Sequence, residues 1–223
     1  MRNRTALLIF VKYPNAGSVK TRLGERIGQN TASELYRGFV ELSLRRYQSV
    51  PDTDYMIYFT PPEEEERFRD WLGEDKRYLA QSPGNLGQRL EWGFDYLFRQ
   101  YPCGIALGTD SPDLPIDRIV QAVQALEKND VVLGPSRDGG YYLIGLSRPI
   151  RELFQGIPWS TPKVFDSTYQ KAKSLGAGVE VLSPWYDVDT WEDLEQLQRS
   201  PDSEIQSFLS PYKYLFESKP THR

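Results

Sequence analysis

The residues Thr5-Ala-Leu-Leu-Ile-Phe-Val11 form a continuous apolar run with polar residues on both sides. A strand that is buried on both faces of a sheet has this pattern, because neither of its faces carries polar side chains. A loop that contains glycine, proline and basic residues follows directly, over residues 12–28. We therefore predict a buried first strand with a ligand-binding loop at its carboxyl end.

Strand-like and helix-like segments alternate along most of the chain. Helical spacing is clearest over residues 31–47, where Thr31-Ala-Ser-Glu34 has the pattern of a capping box. Such alternation predicts parallel strands joined by right-handed crossovers, with helices on both faces of the sheet. We expect an α/β fold with three α/β/α layers and a mostly parallel sheet, formed by a single domain of residues 1–200, with residues 201–223 as a C-terminal helix or tail. The strands are predicted at residues 5–11, 55–60, 78–80, 104–109, 131–133, 142–146 and 179–182, and the further helices after residue 62, at 86–101 and 115–128, after 162 and from 190.

The composition of the 223 residues is that of a soluble globular protein, with 39% hydrophobic residues. No apolar run is long enough for a membrane span, and Lys12 interrupts the apolar start, which indicates a first strand rather than a signal peptide. We therefore expect a cytoplasmic protein. The 27 Lys and Arg against 31 Asp and Glu give a net charge of −4, which lacks the cationic surplus of a nucleic-acid binder.

The chain has one cysteine, Cys103, and one histidine, His222. These counts exclude an intrachain disulfide and a zinc site of Cys and His, and they argue against a nucleophile activated by histidine. The chemistry must then depend on carboxylates, Lys, Arg, hydroxyl groups and a bound metal ion.

The loop after the first strand contains Lys12, Lys20 and Arg22 together with Gly17 and Gly24. Glycines let backbone N–H groups approach a ligand, and Lys and Arg supply charge-assisted donors, so this composition suits a chain of phosphates. The spacing is neither that of a P-loop nor that of GxGxxG. On charge pattern alone, a basic surface loop remains the alternative.

Asp110 follows a predicted central strand, in Thr109-Asp110-Ser-Pro-Asp113. A carboxylate at this position faces the crevice at the strand ends and can hold Mg²⁺, which takes one or two carboxylates together with substrate phosphates. The alternative is that the segment only caps the following turn and helix. Asp187 and Asp189, two residues apart in an extended segment, point to the same side and can converge on one ion.

The segment Arg137-Asp138-Gly139-Gly140 lies between two predicted strands, where the two glycines suit a hairpin turn. An Arg and an Asp at the edge of the crevice exceed what a turn needs, although they could simply pair with each other.

Two further segments carry weaker signals. Gln81-Ser-Pro-Gly84 links a strand to a helix, where backbone amides could receive a base or an anion, or the loop could only begin the helix. Trp159-Ser-Thr161 opens another helix, and packing is the better interpretation for its tryptophan.

Taken in this order, these segments resemble the nucleotide-diphospho-sugar transferase (GT-A) superfamily, in particular the bacterial group of radical-SAM- and selenodomain-associated, glycosyltransferase-like proteins. The resemblance covers about residues 6–197. The first loop is also similar to that of 2-phospholactate guanylyltransferase and, more distantly, of molybdenum-cofactor nucleotidyltransferases. The chain departs from the sugar-nucleotide loop pattern, because Gly17-Ser-Val-Lys20 replaces Gly-x-Gly before Thr-Arg, and this leaves the donor open.

The resemblance implies that Asp110 and Asp189 hold Mg²⁺ or Mn²⁺. Because Asp110-Ser-Pro-Asp113 is not Asp-x-Asp, we take the metal partner of Asp110 from Asp187 and Asp189. Catalytic roles are expected for Asp110, Lys20 and Asp138. Nucleotide and phosphate contacts are expected from Lys12, Gly17, Lys20, Arg22, Gln81 and Gly84, and acceptor or sugar contacts from Arg137, Asp138, Gly139, Gly140, Tyr141, Trp159 and Thr161.

The sequence thus predicts a metal-dependent transferase that binds a nucleoside triphosphate or a nucleotide-sugar and a small-molecule acceptor. The first hypothesis is nucleotidyl transfer to a small phosphorylated acceptor, with Lys20, Arg22 and the ion stabilising the departing pyrophosphate. The second is glycosyl transfer from a nucleotide-sugar, with Asp138 as general base. The third is a non-catalytic nucleotide-binding protein on the same fold. The oligomeric state is not specified by the sequence.

Overall fold

A computed structural model describes residues 4–217 of the chain. The strands are β1 Thr5–Lys12, β2 Thr53–Thr60, β3 Tyr78–Ala80, β4 Cys103–Leu107, β5 Val131–Pro135, β6 Tyr141–Leu146 and β7 Val179–Val181. The helices are α1 Thr21–Ile27, α2 Gln29–Tyr47, α3 Glu65–Leu72, α4 Leu86–Leu97, α5 Ile116–Ala125, α6 Val164–Ser174, α7 Trp191–Gln198, α8 Ser203–Leu209 and α9 Tyr214–Glu217.

The strands form one sheet in the order β3-β2-β1-β4-β6-β5-β7. Strand β6 runs antiparallel to its neighbours β4 and β5, and the other pairs are parallel. The reversal follows from the short turn between β5 and β6, which cannot accommodate a crossover helix. The predicted α/β fold with a mostly parallel sheet is confirmed.

The apolar run of β1 supplies both faces of the sheet. Leu7 and Ile9 lie in one hydrophobic cluster, and Ala6 and Leu8 lie in the cluster on the opposite face. Neither face of β1 is left to solvent, because alternate side chains of a strand point to opposite sides and helices cover both. A third cluster joins α2 to α7 and α8.

The prediction for the start of the second helix is wrong. The region predicted as loop contains α1, and α2 begins at Gln29 rather than at the Thr31–Glu34 capping box. Gly28, with a φ of 88°, ends one helix and precedes the next. Helix α1 has no capping signal in the sequence, because its N-cap is Lys20, whose side chain makes no capping hydrogen bond.

Several predicted bounds also differ by a few residues. Helix α4 ends at Leu97 and α5 at Ala125, both earlier than predicted, while β2 begins at Thr53. The capping box at Thr190 and Asp193 before α7 is present. No helix within residues 4–217 has the length and apolar character needed to cross a membrane.

Helices α8 and α9 occupy the predicted C-terminal region. Asp202 caps α8 by accepting a hydrogen bond from the Glu204 N–H at 2.9 Å, and it pairs with Arg46 of α2 at 2.6 Å. The C-terminal region therefore packs on α2 instead of extending as a free tail. The end of the predicted tail, residues 218–223 with His222, lies outside the described residues.

Candidate active site

The chain segments that follow β4 and precede α7 meet at the carboxyl end of the parallel strands. The Val188 N–H donates to the carbonyl of Asp110 at 2.8 Å, and the Arg137 N–H donates to the carbonyl of Trp185 at 3.1 Å. These backbone hydrogen bonds hold the segment before α7 between the end of β4 and the β5–β6 turn. Aspartates from both segments are thereby brought to one place.

Asp110 and Asp189, here called the carboxylate pair, share one cation. The Nζ of Lys20 contacts Asp110 Oδ1 and lies 2.7 Å from Asp189 Oδ1. The side chain of Lys20 is 3% exposed, whereas those of Asp110 and Asp189 are 44% and 48% exposed. The ammonium group therefore lies beneath the pair, and the carboxylates form the surface of the crevice.

Two opposing effects act on the pKa of Lys20. Burial lowers it, and the neighbouring charges of Asp110 and then Asp189 raise it by more, so that the pKa lies above its ordinary value. Lys20 thus stays protonated. The Tyr36 ring also faces the ammonium group, with 5.9 Å between Nζ and the ring centroid.

Backbone conformation and neighbouring residues hold Lys20 in this position. Its φ of 45° lies in the left-handed region, which a residue other than glycine adopts only when its surroundings impose it. The Lys20 carbonyl accepts from the Gly24 N–H at 2.8 Å and so starts α1, while Leu23 is fully buried. The Lys12 N–H donates to Tyr36 Oη at 3.0 Å, which fixes that ring beside the end of β1.

Asp187 lies deeper than the carboxylate pair. Ser111 Oγ donates to one of its oxygens at 2.7 Å and Ser136 Oγ to the other at 3.1 Å. Burial, followed by the negative charge of Asp110, raises the pKa of Asp187 to about 6. Each Asp187 oxygen thus accepts one hydrogen bond from a serine, and the Asp187 carboxylate lies close enough to add negative potential to the site.

The carboxylate pair fits a divalent cation. Among residues 4–217, no group of three or more His, Cys, Asp or Glu is arranged to hold a metal ion. Mg²⁺ and similar hard ions need fewer protein ligands, because water and substrate phosphates complete their shell. Two exposed carboxylates that converge on one cation, the Lys20 ammonium group, supply such a partial shell.

The remaining cations of the first loop lie at the edge of this crevice. Lys12 is exposed, and its Nζ donates to the Ser18 carbonyl at 2.7 Å. Arg22 is exposed at the start of α1 and forms no ion pair within the described part of the chain. Gly17 provides the turn between them, with a φ of 77° and open space where a side chain would begin.

A cavity of about 390 Å³ lies beside Asp187, between the β5–β6 turn and the segment before α6. A smaller one of about 70 Å³ contains Asp110, and Tyr141 and Asp187 line both. The Asp138 carboxylate is exposed and accepts from the Gly140 N–H at 2.9 Å. No Lys or Arg within residues 4–217 lines the larger cavity. Its lining consists of Leu86, Asp138, Gly140, Tyr141, Ser160, Thr161, Pro162, Val164 and Asp187.

Two of the predicted acceptor-site residues have other contacts. Arg137 donates to Gln196 at 2.8 Å and does not pair with Asp138. The Trp159 indole packs against Gly87 of α4, where an added Cβ would approach it to 2.4 Å. Arg137 is exposed and Trp159 is half-buried, and their predicted roles in substrate contact remain predictions.

Three further predicted site residues, Gln81, Gly84 and Gly139, make contacts with other parts of the protein. The Gln81 amide donates to the Tyr58 carbonyl at 2.7 Å and accepts from Arg89 at 3.0 Å. Gly139 lies so close to the backbone of Pro162 that a Cβ would come within 2.1 Å of its carbonyl oxygen. Gly139 therefore closes the cavity wall, and Gly84 belongs to the turn before α4.

Sequence reasoning missed three contributors to the site. They are Tyr36 of α2, Ser111 after β4 and Ser136 after β5, none of which was predicted as a site residue. Their roles depend on contacts with Lys20 and Asp187, which are far away in the sequence. The only local signal was the position of each serine beside a predicted site residue.

The chain matches the model of a family described as uncharacterized proteins conserved in bacteria, DUF2064, over residues 43–161. Its structure is similar to that of a proposed nucleotide-diphospho-sugar transferase from Desulfovibrio desulfuricans G20. The two are 34% identical, with a TM-score of 0.89 and coverage of 95% of this chain and 96% of the other. No curated protein matches the sequence.

Two more distant structures share the fold. One is CMP:2-keto-3-deoxy-manno-octonic acid synthetase complexed with CTP, at 13% identity and a TM-score of 0.56, covering 87% of this chain and 97% of the other. The second is a Mycobacterium tuberculosis H37Rv protein in complex with manganese, at 11% identity and a TM-score of 0.57, covering 88% and 99%. At these identities the likeness shows the fold alone.

Proposed function

The chain belongs to the DUF2064 family, and we propose that it is a metal-dependent transferase acting on a nucleoside triphosphate or a nucleotide-sugar. The observation that carries the proposal is the convergence of Asp110 and Asp189 on one cation, next to an exposed basic loop. The nucleotidyltransferase-like fold of the related structures supports it. Cytoplasmic action and membership of the radical-SAM-associated group are part of the same proposal.

Asp110 and Asp189 would hold the divalent ion, with Asp187 behind them. When bound, Mg²⁺ or Mn²⁺ neutralises negative charge that develops on the departing phosphate group. Lys12 and Arg22 would bind the phosphates as charge-assisted donors. Catalysis then rests on positioning and electrostatic stabilisation, and no protein nucleophile is required.

In nucleotidyl transfer, an oxygen of a small phosphorylated acceptor attacks the α-phosphorus of a nucleoside triphosphate. A new P–O bond forms as the bond to pyrophosphate breaks, and pyrophosphate leaves with the electron pair. In this proposal, Arg22 and Lys20 stabilise that leaving group. The larger cavity would hold the body of the acceptor, with its phosphate directed toward the basic loop.

Glycosyl transfer is the second candidate, and the lining of the larger cavity favours it. The lining contains the exposed carboxylate of Asp138 and, among the described residues, no Lys or Arg, which suits a hydroxyl group better than a phosphate. Asp138 would take the proton of an acceptor hydroxyl group while the oxygen of that hydroxyl group bonds to the anomeric carbon of the donor sugar. The bond from that carbon to the nucleoside diphosphate breaks at the same time.

A ligand panel tests the proposal. The four nucleoside triphosphates and common nucleotide-sugars are compared by thermal shift, each with and without Mg²⁺ or Mn²⁺, because a ligand of the native state raises its melting temperature. We expect a metal-dependent increase with at least one compound. Release of pyrophosphate then identifies nucleotidyl transfer, and release of a nucleoside diphosphate identifies glycosyl transfer. A panel without any shift would contradict the proposal and favour a different ligand.

A further inference from the structure

We propose that Lys20 couples the metal to the nucleotide, so that the carboxylate pair binds a divalent ion tightly only together with a polyphosphate. This inference rests on the proposed function and assigns Lys20 a role other than simple phosphate contact. It follows from where the ammonium group lies relative to the two carboxylates.

The position of Lys20 is unusual for a phosphate-binding lysine. Its Nζ contacts Asp110 Oδ1 and lies 2.7 Å from Asp189 Oδ1, and its side chain is almost fully buried beneath both. A lysine whose task was only to bind phosphate would be exposed to the ligand, as Lys12 and Arg22 are exposed. Lys20 instead lies against the two carboxylates, and its ammonium group offsets part of their negative charge.

Charge balance connects this geometry to metal binding. The carboxylate pair carries two negative charges, and Lys20 neutralises one of them. A free divalent ion therefore meets carboxylates whose negative charge, together with that of Asp187 behind them, is partly offset by a fixed ammonium group, and this group repels the ion. A polyphosphate that arrives with the ion adds negative charge beside Lys20 and offsets that repulsion.

The surroundings of Lys20 keep the ammonium group in place. Its backbone is held at a φ of 45° at the start of α1, and the Tyr36 ring stabilises the cation from another side. The repulsion is thus a fixed feature of the site. By linkage, any factor by which polyphosphate strengthens metal binding is equally the factor by which metal strengthens polyphosphate binding.

The test measures the affinity of Mn²⁺ alone by electron paramagnetic resonance, in the wild type and in Lys20→Met. We expect Lys20→Met to bind Mn²⁺ roughly tenfold more tightly, within the range common for coupled sites. Lys163→Met is the matched control, because it removes an exposed lysine next to the cavity that contacts no carboxylate of the pair. Its Mn²⁺ affinity should equal that of the wild type.

A second titration includes inorganic tripolyphosphate, with its own chelation of Mn²⁺ measured in protein-free samples. Tripolyphosphate should strengthen Mn²⁺ binding strongly in the wild type and much less in Lys20→Met. Thermal unfolding verifies that the variant is folded, and Lys20→Gln provides a second uncharged variant. Lys20→Arg, which restores the charge, should return Mn²⁺ affinity toward the wild-type value.

The outcomes separate this inference from the function on which it rests. If the wild type binds Mn²⁺ with a nucleotide but Lys20→Met binds Mn²⁺ alone no more tightly, the coupling role is wrong and the proposed function stands. If tripolyphosphate strengthens Mn²⁺ binding equally in the wild type and in Lys20→Met, the coupling role is likewise wrong and the proposed function stands. If the wild type binds no Mn²⁺ under any of these conditions, the proposed function fails as well.

Discussion

At the scale of single residues, the site depends on how charges are divided between its two sides. In the proposed arrangement, the carboxylate pair with Lys20 forms one side, and the exposed cations Lys12 and Arg22 form the other. Phosphates bound between the two sides would accept hydrogen bonds from Lys12 and Arg22. They would also lie next to the divalent ion that the carboxylate pair holds. Arg22 is the residue that tests this division, since its guanidinium forms no ion pair in the described part of the chain.

Arg22→Ala should weaken binding of the nucleotide that gives the largest thermal shift by about tenfold or more, the usual effect of losing a hydrogen bond to a charged group. Binding of the corresponding nucleoside should stay unchanged, because it lacks the phosphates. Isothermal titration calorimetry measures both. Arg26→Ala is the control: Arg26 lies one turn further along α1, over the Trp191 ring at 4.3 Å.

An equal loss for nucleotide and nucleoside would contradict the phosphate role of Arg22. An equal loss in Arg26→Ala would show that the effect comes from α1 as a whole. Either result would move the phosphate site away from the start of this helix.

The sequence located most of the site residues but not their partners. Asp110, Asp187 and Asp189 follow from their positions at strand ends and from the spacing of two residues, and the structure brings them together. The pairing of Lys20 with Asp189 could not be predicted, because it joins residues 169 positions apart. Their roles in binding remain predictions.

At the scale of elements, the apolar runs and most helix starts were predicted, but α1 and the start of α2 were not. The strands were predicted well because burial on both faces leaves a continuous apolar signal, as in β1. Helix α1 was missed because tertiary contacts, rather than a local capping residue, hold Lys20 at its N-cap. The Thr31–Glu34 pattern matched a capping box but lies inside α2, whose actual start is set by Gly28.

Helix α8 depends on Asp202, which caps its start and pairs with Arg46 of α2. Burial acts to raise the pKa of Asp202, but the hydrogen bond and charge of Arg46, together with the backbone N–H groups at the start of α8, outweigh it and lower the pKa below its ordinary value. A carboxyl group with a lowered folded-state pKa stabilises the protein above its unfolded-state pKa of about 3.9, and this stabilisation is lost as the pH falls through the folded-state pKa.

Asp202→Ala should therefore lower the free energy of unfolding by about 1 kcal/mol at pH 7, from loss of the cap and the ion pair. The difference from the wild type should shrink at pH 3. Urea unfolding at both pH values measures it. Asp202→Asn keeps a good capping residue but loses the charge. Its free energy of unfolding at pH 7 should therefore lie between those of the wild type and Asp202→Ala. A difference that is the same at both pH values would contradict the role of the charge.

At the scale of the whole molecule, the sheet brings together segments that are widely separated in the sequence. The end of β1, the end of β4, the β5–β6 turn and the segment before α7 all contribute to one crevice with an adjoining cavity. This follows from the order of parallel strands, whose carboxyl ends lie at the same edge. The cavity lining, in contrast, depends on how the segment before α6 packs against Gly139, which no local pattern reveals.

The central claim is that Asp110 and Asp189 hold a divalent ion beside the phosphates of a nucleotide. The most direct measurement is an anomalous difference map from a crystal grown with Mn²⁺ and the nucleotide selected in the ligand panel. We predict a manganese peak bonded to an oxygen of each carboxylate, with the phosphates directed toward Lys12 and Arg22. A manganese peak elsewhere, or a nucleotide bound with no metal at this pair, would contradict the account.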